Sequence, residues 1–157
     1  LLKMKYNFLI PLIFFFIFSS CGFELANLQS NYNIIEITTK GDGQINYKIK
    51  NKLLSSNRSV NQKIIKININ TKKSKSIKEK NINNEITKYE IEITTEVNFK
   101  SLNNNSEGVF SITKRGDYNV LTKYSDTLNN EKLLIKSLIN GLTEEIQETL
   151  TNNLNDS

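Results

Sequence analysis

The residue with the sharpest chemistry is Cys21, the only cysteine in the chain, which follows a charged start and an apolar run and is itself followed by Gly22. Lys3 and Lys5 form a basic n-region, Phe8 to Phe18 an apolar h-region, and Ser19 and Ser20 are the small residues a signal peptidase needs before its cut. A cysteine at such a cut can be acylated: its thiolate takes a diacylglyceryl group and its freed amine a third acyl chain. Several chains at ~0.8 kcal/mol per buried methylene hold a protein on a membrane far more firmly than one chain does. The expectation is a lipoprotein signal peptide over residues 1–20, lipid attachment at Cys21, and a protein anchored to a membrane without spanning it. A spanning helix needs about 20 apolar residues, and this run is roughly half that before the serines interrupt it. Phe18 stands where a lipobox usually carries an aliphatic residue, and Met4 as initiator would leave Lys5 to serve as the n-region.

The rest of the chain is poor in reactive groups. It has no histidine, which removes the commonest general base and the commonest metal ligand. No nucleophile motif, glycine-rich phosphate loop or paired acidic motif is present, so neither an enzyme nor a cofactor is expected. With Cys21 committed to lipid, no disulfide or cysteine-based metal site is available, although the implied compartment is oxidising. The net charge of +5 includes Lys3 and Lys5, and Arg58 and Arg115 are the only arginines. Such lysine, asparagine and isoleucine enrichment is what an AT-rich genome produces. A nucleic-acid partner is not expected, since the chain reads as exported and lacks arginine-aromatic patterning.

Cys21 to Ser157 suits one domain with a modest core. Residues 21–32 read as a lipidated tether and 33–157 as a single domain. Asn33 to Thr39 is β-branched and short, which predicts a strand. After Gly41-Asp42-Gly43, Asp42 is a plausible N-cap for an amphipathic helix from Gln44 to Ser56, in which Ile45, Ile49 and Leu53 recur every four residues. Lys63 to Thr71 alternates Ile65, Ile67 and Ile69 with Lys66, Asn68 and Asn70, the pattern of a strand with one wet face. Lys72 to Asn84 is lysine-rich and reads either as a mobile hairpin loop or as two strand ends projecting beyond the core.

Lys88 to Phe99 is the cleanest strand, with Tyr89, Ile91, Ile93, Thr95, Val97 and Phe99 on one face. The turn cluster Ser101 to Gly108 connects it to a second strand, Val109 to Tyr118, in an antiparallel hairpin. From Asn130 to Asn153, Leu138, Leu142, Ile146, Leu150 and Leu154 keep helical spacing. Gly141 inside that helix marks either a kink or a close approach to the sheet. The expected fold is α+β, a two-layer sandwich of a mostly antiparallel four-stranded sheet packed by two helices, in the order β-α-β-β-β-α.

Cys21-Gly22-Phe23 with Leu25, the short tether, this element order, Arg115-x-x-Tyr118 and the closing amphipathic helix together resemble the LPS-assembly lipoprotein family LptE, also called RlpB. The resemblance covers nearly the whole chain after Cys21. It implies an outer-membrane lipoprotein, periplasm-facing or within a barrel lumen, that acts as plug and assembly partner of the β-barrel LptD in lipopolysaccharide transport, with no reaction and no cofactor. Gly22 in the second mature position lacks the aspartate associated with inner-membrane retention, in keeping with outer-membrane sorting. Because lipopolysaccharide carries phosphates and acidic sugars, the resemblance also implies a basic ligand patch. The candidates are Lys114 and Arg115, with Lys72, Lys73, Lys75, Lys78 and Lys80 behind them. A solvated loop is the plainer reading of the lysine run, and pairing of Arg115 with Asp117 or a sheet-edge acid competes with ligand binding. The alternative function is a free-standing lipoprotein that binds an envelope ligand.

Overall fold

The computed structural model describes residues 32–55, 63–103 and 105–155. The signal peptide, Cys21, the tether up to residue 31 and the helix end placed at Ser56 lie outside the described residues. Within them the order is β1 (Tyr32–Gly41), α1 (Gly43–Ser55), β2 (Lys63–Lys80), β3 (Ile86–Ser101), β4 (Glu107–Asn119) and α2 (Tyr124–Asn155). The strands form one sheet in the order β1-β2-β3-β4, parallel between β1 and β2 and antiparallel elsewhere. The α+β sandwich expected from the sequence is therefore what the chain adopts.

A parallel pair requires a crossover connection, and α1 supplies it between β1 and β2. Asp42 caps that helix, its Oδ1 accepting from the backbone N–H groups of Gln44 and Ile45 at 3.1 Å each. Tyr32, expected in the tether, opens β1 instead and is buried, because its ring completes the apolar end of the sheet. β1 does not alternate evenly: Ile34 and Ile37 are both buried, three positions apart. A register shift between Ile34 and Glu36 resolves this by leaving Ile35 as the extra residue of a bulge, which returns Ile37 to the core face.

On that face Ile65, Ile67 and Ile69 of β2 and Ile91, Ile93, Val97 and Phe99 of β3 meet Ile49 and Leu53 of α1 and Leu142, Ile146 and Leu150 of α2. Thr71 and Thr95 are buried among them and share a hydrogen bond of 3.2 Å between hydroxyls. The lysine-rich stretch proves to be strand: Lys72 pairs with Thr94, Lys73 with Ile93 and Lys75 with Ile91, and the turn begins only at Asn81. β1 stops where Gly41 lies opposite Thr71, so Lys72–Lys80 has a neighbour strand on one side only. Cross-strand pairing with the strongly patterned β3 carries this sequence into the sheet although it has little apolar content of its own.

α2 starts at Tyr124, six residues before the expected Asn130. Thr127, buried near its start, accepts from the Leu121 N–H at 2.8 Å and so ties the preceding turn to the helix. The helix continues through Gly141, where an added Cβ would meet only Lys114 Cε at 3.8 Å, an ordinary contact. Gly141 thus permits no unusually close approach. The glycine packed tightly against α2 is on the strand: a Cβ at Gly116 would lie 2.6 Å from Leu134 Cδ1.

Candidate functional site

Both helices cover one face of the sheet, and alternation leaves the opposite face open across all four strands. Most residues there are polar or charged, with Val109 and Ile64 as exposed apolar exceptions. Thr94 and Thr113 exchange a hydroxyl hydrogen bond of 3.0 Å between β3 and β4. Glu36 of β1 holds Lys66 of β2 at 2.7 Å, and this bonded ammonium keeps the Glu36 carboxyl below its usual range. A shallow depression of about 360 Å³ lies between Lys72, Ser74, Glu92 and Glu96, and a wider one of about 700 Å³ between Glu36, Lys66, Lys100 and Glu107. Each mixes both signs of charge.

At the turn end of this face a chain of ions runs across three strands. Lys78 Nζ donates to Asp117 Oδ1 at 2.9 Å and lies 3.8 Å from Glu90, while Lys88 bridges Asp117 and Glu79 at 3.8 and 3.3 Å. The Lys78 hydrogen bond, reinforced by Lys88, holds Asp117 below the ordinary carboxylate range, and the bonded Asp117 raises Lys78. These groups are solvent-exposed, so they set the surface's charge pattern more than its stability.

Lys114 and Arg115 are adjacent on β4 and therefore point to opposite faces. Lys114 lies opposite Ile93 on the helix side and pairs with Glu145 of α2. Arg115 lies opposite Glu92 on the open face and pairs with it at 2.5 Å. The structure does not bring the two into one patch. The competing reading of Arg115, pairing with a carboxylate, is what the geometry shows, with Glu92 as the partner. Four of the β2 lysines are likewise engaged, Lys73 with Asp42, Lys75 with Glu131, Lys78 with Asp117 and Lys80 with Asn84, while Lys72 lines the open-face depression.

A cluster that the sequence reading missed sits on the helix side. Lys75 Nζ and the Tyr118 hydroxyl both donate to Glu131 Oε2 at 2.8 Å, and the same ammonium stands 4.4 Å from the Tyr89 ring centroid and 5.3 Å from that of Tyr118. The two rings stack at 5.8 Å. Burial pulls the Glu131 carboxyl upward, but hydrogen bonds from Lys75 and Tyr118 outweigh it and leave Glu131 below its ordinary value. Burial pulls Lys75 downward, and its bonds to Glu131 and Tyr118 overturn that and raise it. Burial, helped by Glu131, raises Tyr118. The signal in the sequence is faint: Tyr89 and Tyr118 are visible as strand aromatics, but nothing marks Glu131 as their partner. The cluster fastens the end of the sheet to the start of α2. Among the described residues there is no group of three or more carboxylates, histidines or cysteines placed to hold a metal, and no helix is long and apolar enough to cross a membrane.

No protein-family model matches the chain. No curated protein matches it. Solved structures do. Rare lipoprotein B from Shewanella oneidensis superposes with a TM-score of 0.61 at 12% identity, over 77% of this chain and 97% of that one. The uncharacterized lipoprotein B from Nitrosomonas europaea gives 0.59 at 13% identity, over 78% and 86%. A putative lipoprotein from Caulobacter crescentus CB15 gives 0.54 at 12% identity, over 83% and 93%. With its βαβ start, long antiparallel strands and closing helix, the chain has the fold of rare lipoprotein B.

Proposed function

We propose that this chain is an outer-membrane lipoprotein of the LptE type, anchored through acylated Cys21, that serves as plug and assembly partner of an LptD-like β-barrel in lipopolysaccharide transport. The observation that carries this reading is the shared fold with rare lipoprotein B over 97% of that chain. The open sheet face supports it physically. A barrel lumen is polar, and a surface made largely of threonine, asparagine and paired charges can exchange hydrogen bonds with such a wall. Catalysis has no place in the proposal. In this reading lipopolysaccharide phosphate meets Arg115 on the open face by displacing Glu92 from it, whereas Lys114 faces the helices and Glu145.

The test is a pull-down of the protein from detergent-solubilised outer membrane, washed at high salt, with mass spectrometry of what stays bound. A single large barrel in roughly equal amount is the expected result. A protein that comes down alone overturns the plug reading and leaves the free-standing binding lipoprotein.

A further inference from the structure

The hairpin of β2 and β3 outruns its neighbour β1. On that side the last main-chain bond among the described residues runs from the Asp42 N–H to the Thr71 carbonyl at 2.9 Å, after which the chain turns away into α1. β2 continues to Lys80, and from Lys72 onward it is paired with β3 alone. In an extended strand the N–H and C=O of one residue leave on the same side, and successive residues alternate. Because the Thr71 carbonyl points toward β1, the main-chain groups of Lys73, Lys75 and Ile77 point that way too, while those of Lys72, Ser74 and Ser76 are spent on β3. A register shift after Ile77 ends the regular stretch. What remains is a straight run of six residues, 72–77, which is the usual length of a strand.

The side chains along this run say what kind of strand fits. On the open face they are Lys72, Ser74 and Ser76, followed by Lys78, with no carboxylate among them. The acids that answer them stand one or two strands further in: Glu90 on β3 and Asp117 on β4 meet Lys78, and Glu92 is already held by Arg115. Lys72 is in no ion pair among the described residues. On the helix side Asp42 and Glu131 engage Lys73 and Lys75, but Ile77, opposite Tyr89, is 51% exposed. Ile65, Ile67 and Ile69 of the same strand, which lie beside β1, are buried. Opposite charges and apolar pairs are the cross-strand neighbours that stabilise a ladder.

The geometry points to an addition site for one more strand. An extended segment of a partner protein pairs with residues 72–77 in line with β1, its carboxylates beside Lys72 and Lys78 and its apolar side chains over Ile77. Main-chain bonds to Lys73, Lys75 and Ile77 hold the segment, and the side chains select it. The site does not rest on the barrel reading, since any chain that offers such a segment satisfies it.

The test follows amide exchange, residue by residue, in the full chain purified in detergent. The probe is a short blocked peptide of alternating glutamate and valine, and its control carries lysine in place of glutamate. Without peptide the amides of Lys73, Lys75 and Ile77 exchange fast, while those of Ser74 and Ser76, bonded to β3, are slow. The acidic peptide slows the first three, and does so at a concentration about tenfold below that of the basic one. Lys73→Pro removes a donor on the free side and leaves the β3 ladder whole, so protection of Lys75 and Ile77 by the peptide is lost, with circular dichroism checking that the fold stands. Lys72→Glu, an exposed change, weakens the acidic peptide about fivefold and carries the test by itself. Slow exchange at Lys73 and Lys75 before any peptide is added means that this chain's own N-terminal segment or a second copy lies there already, and it overturns the proposal. Equal affinity for the two peptides, or no protection by either, overturns it as well. No barrel is present, so the result is independent of the pull-down.

Discussion

At the scale of single residues, the informative positions are those where a side chain and its neighbours leave only one solution. Gly116→Ala drives a Cβ to 2.6 Å from Leu134 Cδ1, and overpacking of this kind costs about 1–3 kcal/mol. Thermal unfolding should show it as a clear loss. Gly141→Ala, in the interior of α2 with only an ordinary contact at 3.8 Å, should instead stabilise by about 0.5–1 kcal/mol. Equal effects at the two glycines would mean that helix and sheet do not meet at Gly116. In the sequence only Gly141 stands out, as either a kink or a close approach, whereas Gly116 escapes notice because what decides there is the residue across the interface and not its own neighbours in the chain. Lys114 and Arg115 teach the reverse lesson. Their separation onto two faces follows from strand alternation alone, so it is legible in the sequence itself. Arg115→Glu sets a second carboxylate against Glu92 and Lys114→Glu sets one against Glu145, so each should lower the melting temperature slightly, but only Arg115→Glu should weaken lipopolysaccharide binding. Affinity that is unchanged by Arg115→Glu removes the open face from ligand contact.

At the scale of elements, the Lys75, Tyr118 and Glu131 cluster joins three pieces of secondary structure, and its titration should be readable in stability. Glu131 has its folded value below its unfolded one, so its contribution is present above the unfolded carboxyl range, near 4.5, and is lost as pH falls through the folded value. Lys75 and Tyr118 are raised above 10.5 and 10.0, so their contributions are present below those values and are lost as pH rises through the folded ones. The melting temperature should therefore be level across the neutral range and fall at both ends. Glu131→Gln should flatten part of the acid side; an unaltered acid slope would show that other carboxylates carry it. The same substitution should quicken amide exchange in β2 from Lys75 onward and at the start of α2, while α1 stays protected. Strand and helix identities are plain in the sequence because their apolar spacing is regular. The lysine-rich half of β2 is ambiguous there because β3 alone decides it, and the first turn of α2 escapes notice because only Thr127 is buried in it.

At the scale of the whole molecule, the sheet divides its duties by face. One side holds every large strand residue of the core against two helices, and Ile93→Asp or Val97→Asp, each placing a charge at a position with no exposure, should abolish cooperative unfolding. Native-like melting of either variant would mean that the other face is the core. The opposite side, with its ion pairs and the Thr94–Thr113 hydrogen bond, gives the protein a surface that stays hydrated alone and still has hydrogen bonds to offer a polar wall. The overall plan is legible in the sequence because the element order and the period of each segment agree. The parallel pairing of β1 follows from the helix between it and β2, but the bulge at Ile35 does not follow from any local signal except the uneven spacing of Ile34 and Ile37.

The sheet's own edge sets a further condition. Past Thr71, on the side away from β3, the backbone of β2 has no strand beside it among the described residues, and a bare edge of this length is a template on which a second copy can polymerise. Lys72, Lys73, Lys75, Lys78 and Lys80 prevent it, since an incoming identical strand would bring its own lysines against them. A chain that carries valine at positions 72 and 73 should keep its fold, yet scatter light and bind amyloid dyes at concentrations where the natural sequence remains clear. What reads in composition as codon bias is, at this edge, protection against fibre formation.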